Sequence, residues 1–305
     1  MYFGVTMPQR MDVHTPDEMR TFTRFAEGID CEHLLMFDRV AGGDPAVHGA
    51  GAHRDVTDHL HESLTTLAYL AAETAEIVLM SGVIVLPQRQ TTLVAKQAVT
   101  VDRYSDGRLR LGVGVGWNEL EYRALGADFS TRGQRIEEQI KLLRRLWTEQ
   151  SVAYEGEWDQ LPAVGLNPLP VQQPIPIWIG GRHPRVLDRV ARMGDGWVTP
   201  RLPRSDIDPL ATELQQRLRE HNRSDDQVSI LGRLNLGPND PVGVDSQAEW
   251  LNAVEEWAEM GATHLSIETI NTELETPGEH RAAINAFKDV IEDSAIEWEE
   301  ARRER

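Results

Sequence analysis

The sequence predicts an α/β fold, a (β/α)8 TIM barrel with insertion loops, on three observations. Strand-type apolar runs alternate with helix-type amphipathic runs eight times along the chain, as parallel strands joined by crossover helices require. The strand runs are short, rich in Val, Ile and Leu, and often without period-2 alternation, as in strands covered on both faces. The 305 residues accommodate the ~250 of such a barrel plus long loops, and no linker, composition break or short-period repeat divides them. Residues 1–305 therefore read as a single barrel domain.

The eight strands are expected at Tyr2–Thr6, His33–Phe37, Ile77–Val83, Arg110–Gly114, Ile175–Ile179, Gly196–Thr199, Val228–Leu234 and His264–Glu268. After the first, "TPDEM" sets Thr15 as N-cap, Pro16 at the first helical position and Glu18 closing a capping box. Met19, Phe22, Ala26 and Ile29 follow at helical spacing. Glu62 caps the helix that precedes the third strand, its charge near the positive end of the helix dipole. Ile136, Ile140, Leu143 and Trp147 form an apolar stripe after the fourth strand, and Ser246 with Glu249 repeats the capping box before Leu251, Val254 and Ala258. Ala41–Leu60 and Glu155–Pro174, the latter with "LNPLPVQQPIP", lack strong periodicity and read as lid or binding loops.

A 40% hydrophobic content supports a substantial core. The 31 Lys and Arg against 49 Asp and Glu give a net charge of −18, which excludes nucleic acid and anionic membrane surfaces as expected partners. The most apolar stretch, "IVLMSGVIVLP", is well short of the ~20 residues of a spanning helix, and no basic segment precedes Tyr2, so a cytoplasmic location is expected. The single cysteine, Cys31, has no partner for an internal disulfide and reads as a small buried residue.

Barrel chemistry sits where strands end, which selects Met7, Asp38 with Arg39, Gly82 with Val83, "GVGWNE" and "GGRH". In "GRLRLGVGVGWNELEY" the glycines fall at 112, 114 and 116 and Glu119 takes the place of the third glycine of a dinucleotide fingerprint, so that reading fails. Two readings stay open. The glycines let a flat ring or ribityl chain lie on bare backbone, with Trp117 shaping the pocket and Asn118 hydrogen-bonding the ligand, or they relieve crowding at a barrel corner with Trp117 in the core. Gly180 and Gly181 end a strand just before a helix from about Pro184, and with Arg182 they form a phosphate seat or a tight turn with Arg182 in solvent. His48, His53, His59 and His61 carry no zinc-site spacing, so no metal is expected; His59 or His61 near the barrel mouth could donate a proton. Gln88 and Arg89 line the pocket or neutralise a neighbouring carboxylate.

"HESLTTLAYLAAETAEIVLMSGVIVLPQRQTTLVAKQAVTVDRYSDGRLRLGVGVGWNELEY", "RGQRIEEQIKLLRRLW" and "PIPIWIGGRHPRVLDRVARMGDGW" resemble the bacterial luciferase-like monooxygenase superfamily, nearest its coenzyme F420-dependent oxidoreductases. The resemblance is strong over Tyr2–Pro200 and weak beyond. It implies a barrel holding the deazaflavin F420, or alternatively FMN, at the C-terminal strand ends, and commonly a homodimer. Carried over by position, Asp38 contacts the ring system, Gly82–Val83 forms a non-prolyl cis peptide behind it, Gly116, Trp117 and Asn118 flank ring and ribityl chain, and Gly180 and Gly181 take the phosphate.

The sequence departs from the deazaflavin-dependent alcohol and sugar-phosphate dehydrogenases of that superfamily. Where they carry a histidine base after the Asp this chain has Arg39, and where they carry a Glu in the fourth-strand turn it has Trp117. Arginine cannot accept a proton from an alcohol, but it can stabilise charge developing on a carbonyl, enolate or peroxide oxygen. Hydride delivery to a small organic substrate, with Asp38, Arg39 and His61 as the catalytic candidates, is therefore the expectation. An FMN-dependent monooxygenase and a barrel binding a flavin without turnover are the alternatives.

Overall fold

Eight parallel strands pair in chain order and close on themselves: β1 (Tyr2–Thr6), β2 (His33–Met36), β3 (Val78–Ser81), β4 (Leu109–Gly114), β5 (Ile177–Gly180), β6 (Gly196–Val198), β7 (Ser229–Leu236) and β8 (His264–Glu268). Closure runs from Tyr2↔His264 to Val5↔Ile267, which pairs both edges of the sheet. The structure, a computed structural model, describes residues 1–9, 13–49, 56–237, 243–244, 246–270 and 272–292. Among them no helix is long and apolar enough to cross a membrane.

The helices form an outer layer, and their local signals act as the sequence implies. Thr15 and Glu18 close a capping box at Pro16–Gly28, Ser246 and Glu249 another at Gln247–Glu259, and Glu62 accepts from the Thr65 N–H at 2.7 Å. Ile136, Ile140, Leu143 and Trp147 are buried on Arg132–Thr148. On Gln247–Glu259, however, Val254 and Trp257 face the core while Ala258 is exposed, because the longer apolar ring one position earlier fills the space over Gly232. The outer layer packs as one large apolar cluster, and Leu35, Met80, Trp178, Val198 and Leu231 form a second, separate one. Cys31 is buried, where burial pushes its thiol pKa up and keeps it protonated.

Two expectations need correction. The third strand does not run unbroken over Ile77–Val83: it stops at Ser81, passes a cis Gly82–Val83 bond, and resumes as Ile84–Val85 paired with Val113 and Gly114. The segment Glu155–Pro174 is not wholly irregular, since Val152–Glu155 and Gln160–Val164 form an antiparallel hairpin. Its second strand is almost entirely exposed and so shows no apolar alternation. The Glu138 carboxylate accepts from the N–H groups of Glu157 and Asp159, each at 2.8 Å, and ties the hairpin to Arg132–Thr148.

At the N-terminal end of the barrel a polar cluster links four strands. Glu32 accepts from Arg110 at 3.0 and 2.5 Å and lies 2.9 Å from His33 Nδ1, and Arg110 stands 5.4 Å from the Trp178 ring centre. Burial opposes ionisation of Glu32, but the Arg110 charge and the hydrogen bond with His33 outweigh it and hold the carboxyl well below the usual range. His264 is pushed down to about 2 by burial and by Arg110, so it stays neutral. Because the folded-state pKa of Glu32 is depressed, its contribution is present above the unfolded value of about 4.3 and is lost as pH falls. Glu32→Gln should therefore cost about 3 kcal/mol at pH 7 by breaking a buried pair. In urea unfolding the variant should also lose less stability than the wild type between pH 7 and pH 3.5.

Candidate active site

A cavity of about 360 Å3 opens at the C-terminal strand ends. Phe37, Asp38 and Arg39 enter it after β2, Gly82 and Val83 after β3, Gly116, Trp117 and Asn118 after β4, Pro200 and Arg201 after β6, Arg233 from β7 and Ile270 after β8. Leu60, Val85 and Glu121 complete the lining.

One wall is shaped by the broken third strand and the glycines beside it. A Cβ on Gly112 would lie 1.8 Å from the Ser81 carbonyl oxygen, one on Gly114 2.8 Å from a Val83 methyl, and one on Gly116 2.7 Å from a Val85 methyl. Residues 112, 114 and 116 thus make room in turn for residues 81, 83 and 85, and Gly180 on β5 stands at the other side of Val83, its Cβ position 3.1 Å from a methyl. Crowding accounts for Gly112 and Gly114, whereas Gly116, at φ +64°, also lines the cavity. Trp117 is 59% exposed at the rim and is not a core residue.

Asp38 is buried, and both its oxygens are engaged: Oδ2 accepts from Arg89 Nη2 at 2.7 Å and Oδ1 from the Ser63 N–H at 3.0 Å. Arg89 also donates to Glu62 at 2.7 Å, so it neutralises two carboxylates and does not line the cavity. Burial pushes the Asp38 carboxyl up and Arg89 opposes the rise, while Asp38 and Glu62 outweigh burial at Arg89 and raise its pKa. Arg39 points to Asp58 at 3.9 Å across the mouth. Asn118 uses its side-chain oxygen to cap Glu119–Ala124, accepting from the Leu120 N–H at 3.1 Å.

Of the residues expected at the site, Asp38, Arg39, Gly82, Val83, Gly116, Trp117 and Asn118 converge on the cavity. Met7 is fully buried in the outer core cluster. Gly180, Gly181 and Arg182 lie outside the lining, Gly181 accepts from Trp197 Nε1 at 2.9 Å, and Arg182 is exposed. His183 caps Pro184–Met193 there. His61 is exposed, with Nε2 2.8 Å from the His14 carbonyl oxygen, and His59 stacks on His14 at 4.4 Å, so neither reaches the cavity. His53 lies outside the described residues, and among those described no group of three or more His, Cys, Asp or Glu could hold a metal.

Sequence reasoning missed Glu121, Arg201 and Arg233. Glu121 accepts from the Val40 and Ala41 N–H groups at 2.8 and 3.1 Å and fixes the backbone beyond Arg39. Arg233 puts the one charged side chain into the "SILGRLNL" strand, which is the signal that marks it: a buried charge on a strand demands a partner. That partner is Glu268, fully buried at the end of β8.

A closed parallel barrel whose one broken strand backs a cavity at the C-terminal rim defines the class: a (β/α)8 protein of enzyme architecture. The profile of the luciferase-like monooxygenase family matches residues 7–298, and the chain belongs to that family. It is 30% identical over 187 residues to the FMNH2-dependent dimethylsulfone monooxygenase of Pseudomonas putida, covering 60% of this chain and 48% of the relative. It is also 30% identical over 181 residues to the F420-dependent glucose-6-phosphate dehydrogenase of Kineococcus radiotolerans, covering 57% and 53%. The chain spans about half the length of the curated relatives it matches. The fold is also that of an F420-dependent secondary alcohol dehydrogenase solved with an F420–acetone adduct, at TM-score 0.76, 15% identity and coverage of 95% and 98%.

The glycine wall is directly testable. Gly114→Ala should displace Val83 and lower stability by about 1–3 kcal/mol in chemical unfolding. Gly28→Ala, with nothing within 4 Å of the added methyl, should be neutral or slightly stabilising.

Proposed function

We propose that the protein is an oxidoreductase that uses reduced F420 to deliver hydride to a small organic acceptor. The observation that carries this reading is Arg39 in the cavity where an alcohol dehydrogenase needs a base. No histidine lines the cavity among the described residues, and its two carboxylates, Asp38 and Glu121, are already accepting hydrogen bonds from Arg89, Gln88 and backbone amides. Guanidinium groups suit charge that develops on an acceptor oxygen, not the removal of a hydroxyl proton.

The residues fit a flat tricyclic ring. Gly82 and Gly116 present bare backbone to the cavity, Val83 supplies an apolar shelf held from behind by Gly114 and Gly180, and Trp117 offers an exposed ring at the rim. When bound, a reduced deazaflavin supplies hydride. The chain's own work is to seat the ring on Gly82–Val83, to cover it with Trp117, and to hold Arg39 where negative charge appears. The Arg89 bridge opposes the rise that burial causes at the Asp38 carboxyl, and with the Ser63 N–H at the helix start it fixes the side chain, so Asp38 acts as a brace at the cavity wall.

FMN in a monooxygenase is the second reading. It is favoured by the Pseudomonas putida relative, which matches at the same identity as the F420-dependent one.

Fluorescence titration of the purified protein separates the cofactors. F420 should bind more tightly than FMN, and Trp117→Ala should weaken binding by about tenfold, or ~1.4 kcal/mol. Tighter FMN binding moves the assignment to the monooxygenase, and failure of both points to a barrel without this turnover. With F420 bound, Arg39→Met should lower enone reduction by about 10²-fold in kcat, the loss typical of one oxyanion donor. A wild type that oxidises alcohols readily, with no gain in Arg39→His, would refute the assigned direction.

A further inference from the structure

Beyond the Gly82–Val83 shelf, the cavity is bordered by apolar side chains from separate parts of the barrel: Phe37 after β2, Leu60 before the helix Ser63–Ala71, Pro200 after β6 and Ile270 after β8. Two of these residues are held by buried carboxamides. Gln9, fully buried after β1, donates from Nε2 to the Phe37 carbonyl oxygen at 2.8 Å, and Asn235, fully buried on β7, donates from Nδ2 to the Ile270 carbonyl oxygen at 2.7 Å. The Phe37 ring is also fixed by Arg233, whose guanidinium carbon stands 5.0 Å from the ring centre.

Gln9 Oε1 and Asn235 Oδ1 have no hydrogen-bond partner among the described residues. An apolar side chain would fill either place without leaving a buried acceptor unmet, so packing alone does not call for a carboxamide there. What each adds is a fixed backbone position for one apolar residue of the cavity, which neither carboxamide itself lines. The charged side chains that do line it are compensated. Arg39 faces Asp58 at 3.9 Å, Arg201 and Arg233 form a trio with Glu268, Asp38 meets Arg89, and Glu121 accepts from Gln88 Nε2 at 3.2 Å and from backbone amides. A charged group on an acceptor would compete with these partners or be buried without one, and either is costly. Apolar surface laid on Phe37 and Ile270 instead gains by leaving water.

We propose that the acceptor is uncharged and that its hydrocarbon part lies on Phe37 and Ile270, with Gln9 and Asn235 as the positioning residues behind them. This inference rests on the reading that the cavity takes an organic acceptor beside its cofactor, and it names that acceptor's class: a neutral enone with an apolar substituent, not an acid or a phosphate ester.

The test uses the full chain and three probes, titrated by calorimetry with and without F420: benzylideneacetone, cinnamate, which puts a carboxylate in place of the ketone, and ethylideneacetone, which puts a methyl group in place of the phenyl ring. Benzylideneacetone should bind about tenfold more tightly than either of the others. Phe37→Ala should remove most of its lead over ethylideneacetone, and Phe37→Leu, which keeps an apolar side chain, should retain part of it. Gln9→Met and Asn235→Leu, which nearly keep the side-chain size and remove the donor, should each narrow that lead about threefold while F420 affinity changes by less than about twofold. An equal loss of both enones would mark a merely structural role and overturn the positioning assignment. Cinnamate or ethylideneacetone binding as tightly as benzylideneacetone, or a folded Phe37→Ala that keeps the lead, overturns the proposal. Failure of F420 to bind while the lead persists overturns the cofactor reading and leaves the apolar seat standing.

Discussion

The site depends on one packing constraint: β3 leaves its regular course after Ser81, and β4 and β5 must leave room for it. Gly112, Gly114 and Gly116 recur with the strand's period of two and face Ser81, Val83 and Val85, which follow the same period. A side chain at any of the first three positions would meet backbone or a branched methyl at well under contact distance. Gly82 carries the same requirement toward Leu35 on β2, its Cβ position 2.5 Å from that side chain. The irregular segment is thus clamped from β2, β4 and β5 together, and its apolar face becomes a fixed wall of the cavity. Bare backbone here is first a packing necessity, and the flat surface it leaves along the cavity is its consequence.

A second constraint is electrostatic. The chain carries eighteen more negative than positive formal charges, yet Arg39, Arg201 and Arg233 border the cavity and Arg89 stands one layer behind. Each carboxylate near the site is tied to a guanidinium, a carboxamide or backbone amides: Asp38 to Arg89 and Ser63, Glu121 to Gln88, Val40 and Ala41, Glu268 to Arg201 and Arg233. Buried charge is costly without such partners, so this pairing is what permits ionised groups at the barrel mouth. It also separates roles. Carboxylates hold loops and strands in place, and the guanidiniums of Arg39, Arg201 and Arg233 are themselves held by carboxylates where they border the cavity.

Much of this was legible in the sequence because the signals were local. Capping boxes at Thr15 and Ser246 depend on residues three apart, and apolar strands identify themselves by composition. The position of Trp117 on the cavity and the break at Gly82–Val83 came from the family resemblance, since nothing in the run "LMSGVIVLP" itself marks where the strand stops pairing. What could not be read was set by distant partners. Arg89 finds Asp38 fifty-one positions away and Arg233 finds Glu268 thirty-five away, so spacing alone could not say which carboxylate each would meet. His61 looked close to the mouth by sequence, but its ring is held by the His14 carbonyl, forty-seven positions earlier, and turns away. The hairpin at Gln160–Val164 escaped because an exposed strand leaves no apolar period to detect.

These constraints divide the molecule into a part that fixes the cavity and a part that decides what enters it. The glycine wall and the Glu268 trio are built on strands whose pairing continues around the closed barrel, so their geometry is shared by the whole sheet. Among the described residues, Glu121 joins the mouth to that frame by holding the backbone at Val40 and Ala41, and Asp58 faces Arg39 from the loop that follows. A change of sequence beyond Ala41 alters the entrance without disturbing a strand, whereas a change at Gly112 or Glu268 reaches several strands at once. Loops can therefore vary the entrance while the cavity wall stays constant, a division of labour by which one barrel architecture can host different activities.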